Sequence, residues 1–239
     1  ALDRIGVETD VMPVGVYEAL RHGLPGSEFV DVSTALMEER LVKSPAEVDL
    51  LRANCAIAGV GTEAIMAAMA AGRTELEISN EALAATDRAL AERFPELESF
   101  GTVVTCASGP RSLIPHAVST GKRLAAGEIV TFNVLSVVMG YYVSPERTLS
   151  IGPLRAEARG PFEAIIEAQA RGMEAVAPGV KCGDVARRCI EVLERHGYDH
   201  HQLHGPGHSC GIMGPFWGRE EKGEIRPYND TTLEPGMVV

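Results

Sequence analysis

The sequence predicts an α+β chain in which strands gather into an antiparallel sheet backed by helices. Three observations carry this. Two helix starts bear full capping boxes, runs rich in β-branched residues follow each pair of helices, and the order helix–glycine–helix occurs twice at one spacing.

The chain opens on Arg4-Ile5-Gly6-Val7-Glu8, which reads as a strand already under way. The first long helix begins at Ser44-Pro45-Ala46-Glu47, with Ser as N-cap, Pro at the first helical position and Glu at the third. Apolar residues at Val48, Leu51, Cys55 and Ala58 keep helical spacing to about Ala71, where Gly72 stops the run. Thr74 and Glu77 form a second capping box, and Ile78, Leu83 and Leu90 carry the stripe to Phe94-Pro95. A third helix is expected over about 157–177, ending at Pro178-Gly179, and a fourth over 182–196, with Val185, Cys189, Val192 and Leu193 inward and Gly197 as C-cap. Gly72 aligns with Gly179, Ile78 with Val185 and Leu83 with Ile190 at one offset, which points to an internal duplication. After the first helix pair, strands are expected over 101–107, 128–135 and 137–143, with a hairpin joining 131–135 to 140–148; after the second, over 207–213 and at the closing Met237-Val238-Val239. A domain rarely ends as a core strand begins, so further chain is expected beyond Val239.

Composition narrows the function. Of the 239 residues, 45% are hydrophobic and 23% charged, ordinary for a folded soluble protein. With 33 acidic against 22 basic side chains the net charge is -11, and no Lys/Arg run breaks that balance, so nucleic acid is a poor partner. No apolar window is long enough for a bilayer span; residues 56–71 come nearest and Glu63 interrupts them. No basic segment precedes an apolar core at the start, so no signal peptide is read. Cys55, Cys106, Cys182, Cys189 and Cys210 are odd in number and form no C-x-x-C pair, which fits reduced thiols in the cytoplasm.

Three groups of residues could do chemistry. His116, in Ser112-Leu113-Ile114-Pro115-His116-Ala117, is either an ordinary loop histidine or a proton shuttle, since imidazole changes charge near neutral pH. His208 lies among glycines in Gly205-Pro206-Gly207-His208-Ser209-Cys210-Gly211, where backbone can approach a ligand closely, or where the chain merely turns. His204 lies four residues before it, but Gly205-Pro206-Gly207 forbids the helix that a two-histidine zinc motif needs; His200 and His201 read as exposed. Asn133 and Glu146 stand on the two arms of the hairpin, where Glu146 could also serve only as an ion-pair partner for Arg147.

The order of Lys43-Ser44-Pro45-Ala46-Glu47-Val48, Pro115-His116-Ala117-Val118, Gly127-Glu128-Ile129-Val130, Gly207-His208-Ser209 and Leu233-Glu234-Pro235-Gly236-Met237 resembles the pita-bread family of methionine aminopeptidase, Xaa-Pro aminopeptidase, prolidase and creatinase. The resemblance implies a pita-bread catalytic domain over 43–239, truncated at its C-terminal end, preceded by residues 1–42 as the tail and linker of a creatinase/prolidase-type N-terminal domain. The family's metallopeptidases hold two metal ions with two Asp, one His and two Glu, because divalent ions need several anionic oxygens. Their two Asp positions fall here on Asn133 and Ser144, and the His on His208.

Phe132-Asn133, Gly140-Tyr141-Tyr142, Glu146-Arg147-Thr148-Leu149 and Gly218-Arg219-Glu220 are similar to creatinase, the branch that works without metal. That resemblance implies His116 as general acid/base, Glu146 holding a guanidinium group, Tyr142 and Arg219 binding a substrate carboxylate, and His208 supporting substrate or water. It implies no cofactor, a small-molecule substrate and a homodimer in which the partner's N-terminal domain closes the pocket. Pro145 before Glu146, and Pro215-Phe216-Trp217 where creatinase has a histidine and tyrosines, depart from the pattern and leave creatine itself open. The alternatives are an Xaa-Pro metallopeptidase that binds Mn, Co or Zn with His208 among its ligands, and a non-catalytic binding protein of the same fold.

Overall fold

In the computed structural model, residues 3–98, 101–212 and 221–239 are described. The chain runs β1 (Arg4–Val7), α1 (Val14–Gly23), β2 (Glu28–Asp31), α2 (Ser33–Leu41), α3 (Pro45–Ala68), α4 (Glu75–Arg93), β3 (Val103–Ser108), β4 (Ile129–Val138), β5 (Tyr141–Val143), β6 (Glu146–Ser150), α5 (Ala156–Ala175) and α6 (Cys182–His196).

Both capping boxes form as expected. The Ser44 side chain accepts from Glu47 N while the Glu47 carboxylate accepts from Ser44 N, and Thr74 and Glu77 repeat the exchange. The first long helix ends three residues sooner than its apolar pattern, at Ala68, and the chain turns at Gly72 with φ +89. Before it, β1 and β2 pair in parallel around α1, a small βαβ unit of which only β1 was expected. Neither α1 nor α2 has a side-chain cap, and α1 buries no residue, so neither leaves a local signature.

The main sheet is antiparallel. β4 pairs with β3 on one edge and with both β5 and β6 on the other. β5 and β6 keep one register along β4, Ser136↔Val143 and Asn133↔Glu146, so they are a single hairpin arm broken where Pro145 has no N–H to give. The Pro145 carbonyl still accepts from Val134 N at 3.2 Å. The expected strand over 137–143 is split by the hairpin turn, with 137–138 ending β4 and 141–143 forming β5: Met139 (φ 50) and Gly140 (φ 82) both take positive φ, which a two-residue turn between twisted strands demands. Val130, Phe132 and Val134 point from one face of β4 onto Leu51, Ala58 and Ile65 of α3 and Ile78 and Ala82 of α4. Asn133, one residue out of phase, faces the other way.

The duplication is visible bond by bond. Gly72 N donates to Leu124 O, and Gly179 N to Leu233 O, both at 2.8 Å. Leu124 N returns to Arg73 O as Leu233 N returns to Val180 O; Glu75 N donates to Lys122 O as Cys182 N does to Thr231 O; Leu76 N donates to Thr120 O as Gly183 N does to Asn229 O. Gly72 and Gly179 adopt φ +89 and +88.

The two strands expected in the second half are not ladders. Gly207↔Ile225, Tyr141↔Ile212, Lys181↔Thr232 and Val42↔Met237 are single bridges. Pro206, Pro227 and Pro235 supply no donor, and the chain turns again at Gly236 (φ +96), so pairing does not propagate. Met213 lies outside the described residues.

Candidate active site

The hairpin places Asn133 opposite Glu146. Asn133 is buried, and its side-chain N–H group donates to Ser144 Oγ at 2.5 Å and to Glu146 Oε1 at 2.8 Å. Its Oδ1 is buried and has no hydrogen-bond partner among the described residues. An unpaired buried acceptor costs about 1–3 kcal/mol, so the position suits an incoming donor. Glu146 is exposed at the start of β6.

Tyr142 is buried, 3% exposed, and its hydroxyl donates to the Ser209 carbonyl at 3.1 Å. Its backbone N–H donates to Gly211 O, and Tyr141 bridges to Ile212, so β5 holds the segment that carries His208. The hydroxyl bond to Ser209 ties Tyr142 to the same segment. His208 is exposed, and its Nδ1 lies 2.9 Å from Ser209 O. A carbonyl only accepts, so in the neutral ring Nδ1 carries the proton and Nε2 is left as the acceptor.

His116 stands beyond β3, on the loop that follows a 3-10 turn (Gly109–Leu113). It is exposed and takes φ 54, a left-handed conformation uncommon for a non-glycine residue and frequent at functional sites. The hydrogen bonds therefore join Asn133, Ser144 and Glu146 in one group and Tyr142, Ser209 and His208 in a second, with His116 on a separate loop. Arg219 lies outside the described residues, as does the Pro215-Phe216-Trp217 segment.

One residue of consequence was missed. Glu75 is fully buried, and its carboxylate accepts from Ser108 N and Oγ, Thr120 N and Oγ1, and Arg111 Nε. Burial pushes its pKa up, but the hydrogen bonds from Thr120 and Ser108 outweigh that and hold it below the usual carboxylate range. In Thr74-Glu75-Leu76-Glu77 only Glu77 is needed for the cap; that spare glutamate was the one available signal.

Among the described residues no group of three or more His, Cys, Asp or Glu is gathered that could hold a metal ion. At the hairpin the donors are an amide, a hydroxyl and one carboxylate, too little negative charge for a pair of divalent ions. No disulfide joins any of the five cysteines among the described residues, and no helix among them is long and apolar enough to cross a membrane.

Residues 49–239 match the model of metallopeptidase family M24. The chain belongs to this family. Residues 1–42 match the creatinase/prolidase N-terminal domain. Within family M24 the chain is 34% identical over 236 residues to a creatinase of Bacillus sp. (strain B-0618), covering 99% of this chain and 57% of that protein. It is 26% identical over 235 residues to an Xaa-Pro dipeptidase of Pyrococcus horikoshii, covering 98% of this chain and 64% of the relative. The solved Xaa-Pro dipeptidase of Bacillus anthracis superposes with a TM-score of 0.87 at 25% identity, over 98% of this chain and 63% of that one. The chain thus spans less than two thirds of the length of these relatives. The pita-bread α+β fold expected from the sequence is the fold of these M24 hydrolases.

Proposed function

We propose that this chain carries the site of a creatinase-like hydrolase that cleaves a non-peptide C–N bond of a small amidine or guanidino compound, with His116 as general acid/base and no metal cofactor. The observation that carries the reading is the Asn133–Ser144–Glu146 group. An orphan Asn133 oxygen beside a carboxylate is an acceptor pair, and it suits a planar cation rich in N–H donors. The 34% identity to the Bacillus creatinase supports the same reading.

In this scheme Glu146 and Asn133 Oδ1 hold the cation's nitrogens and keep its carbon electron-poor. His116 takes a proton from water as the oxygen attacks that carbon, forming a C–O bond. The same proton then passes from His116 to the leaving nitrogen as the C–N bond breaks, so the imidazole ends neutral and water is the one reactant consumed. His208, protonated at Nδ1, offers Nε2 to orient the water or a substrate N–H. Arg219 belongs to this proposal as the residue for a substrate carboxylate. The working unit is a cytoplasmic homodimer in the same reading.

The rival reading is an Xaa-Pro metallopeptidase, favoured by the similarity to the Pyrococcus dipeptidase and disfavoured by the loss of charge at Asn133 and Ser144. The test is urea or ammonia release by the full-length protein from creatine and a panel of guanidino and amidine acids. The proposal expects turnover that His116→Ala reduces by about 10²–10⁴-fold. Cleavage of Xaa-Pro dipeptides with no release from the panel would sink it in favour of the peptidase; tight binding with no turnover of either set would leave a binding protein.

A further inference from the structure

We infer that Glu75 is a positioning residue for the His116 loop: one buried carboxylate fastens both ends of the segment that presents the general acid/base. The inference rests on the role proposed for His116.

The geometry assigns one oxygen to each end. Glu75 Oε1 accepts from Ser108 N and Ser108 Oγ, both at 2.8 Å, where the chain leaves β3. Oε2 accepts from Thr120 N at 3.0 Å and Thr120 Oγ1 at 2.8 Å, where it comes back. Between these points lie residues 109–119, with His116 among them. Arg111 adds a third tie from inside the loop, with Nε 3.4 Å from Oε2 and a terminal nitrogen donating to Val118 O at 2.6 Å. Below the clamp, Glu75 N and Leu76 N donate to Lys122 O and Thr120 O, so the α4 N-terminus docks the returning chain through its backbone as well. Lys122 Nζ bonds Ser108 Oγ at 2.9 Å and Glu128 at 2.7 Å, which closes the network on its open side.

The charge and the length are both needed. A buried carboxylate only accepts, at both oxygens, and each of these groups is a donor toward it. A glutamine of the same shape would turn one oxygen into a donor. That donor would face either the Ser108 or the Thr120 backbone N–H, so one end of the loop would come loose whichever way the amide turned. His116 holds φ 54 inside this loop, a conformation that persists only while its surroundings fix it.

The experiment is backbone amide exchange of the full-length protein in wild type, Glu75→Gln and Thr120→Val, read alongside urea-release kinetics with creatine and the guanidino panel. The expected result is faster exchange confined to 109–119, with α3 and β4 unchanged. Turnover should fall roughly 10²-fold in Glu75→Gln with KM nearly constant, because a misplaced general base loses rate rather than binding. Thr120→Val, which removes one donor and leaves the Glu75 carboxylate its other four, should move both readouts in the same direction by less, and it decides the matter alone if Glu75→Gln does not fold. Unchanged exchange in 109–119, or a rise spread evenly over the whole domain, would overturn the inference. A wild type that turns over no member of the panel fails the functional reading alone, and the clamp is then judged on the exchange pattern.

Discussion

In the first half of the chain the helix that follows Gly72 begins at Glu75, and in the second half the helix that follows Gly179 begins at Cys182; four backbone hydrogen bonds around the one position have counterparts around the other. Both side chains are fully buried. Glu75 reaches out and gathers Ser108, Arg111 and Thr120. Cys182 has no carboxylate to reach with, and burial pushes its thiol up and keeps it neutral. The second-half loop is organised from within instead: Asn229 Nδ2 donates to Lys222 O at 2.9 Å and Glu224 O at 2.7 Å, while its Oδ1 accepts from Thr231 N at 3.0 Å. The duplicated backbone plan sets where a loop returns. The side chain at the helix start decides whether that loop is tied from outside, and the tied loop is the one that carries His116.

The largest effect that could break this comparison is removal of each buried side chain in turn. Glu75→Ala strands five donors and should cost about 3–5 kcal/mol in denaturant unfolding, whereas Cys182→Ala should cost about 1 kcal/mol. Equal losses would mean that the two positions do the same structural work. Next come the glycines that let helices approach. A Cβ on Gly61 would meet Thr86 Oγ1 of α4 at 2.1 Å and Val134 of the sheet at 2.9 Å; one on Gly172 would meet only Cys189 Sγ, at 2.4 Å. Gly61→Ala is therefore expected near the upper end of the roughly 1–3 kcal/mol range for overpacking, and Gly172→Ala near the lower end, where a single thiol can rotate aside. The reverse order would place the tighter packing in the second half.

The smallest effect is on pH. The Glu75 carboxyl is held below the ordinary range, among Arg111, Lys122, Glu128 and Cys106, whose own thiol burial and Glu75 push up to about 12. A lowered pKa contributes stability that is present above the unfolded-state value and lost as pH falls through the folded one. The stability gap between wild type and Glu75→Gln should thus be constant above about pH 5 and shrink as the solution becomes more acid. A gap that instead widened on acidification would mean that the carboxyl is protonated, not charged, in the native protein.

What could be read from the sequence was local. The two capping boxes, the Gly72 and Gly179 turns, the Gly197 cap and the pairing of Asn133 with Glu146 all depend on residues close in sequence, and the structure forms each of them. What could not be read depends on distant groups. α1 and α2 form without side-chain caps, and the second-half segments meet in single bridges whose partners lie far along the chain. The site divides the same way. Glu146 and Asn133 could be placed from the hairpin, but the bond from the Tyr142 hydroxyl to Ser209 depends on a segment 67 residues away, and the burial of Glu75 on a loop 33–45 residues on.

The central claim is that this member of family M24 does its chemistry with Asn133, Glu146 and His116 rather than with a pair of metal ions. The most direct measurement is elemental analysis of the full-length protein purified without added metal, with turnover of the guanidino panel followed before and after dialysis against a chelator. The account predicts substoichiometric metal and turnover unchanged by the chelator. Stoichiometric Mn, Co or Zn, with activity lost on chelation and restored by the ion, would contradict it.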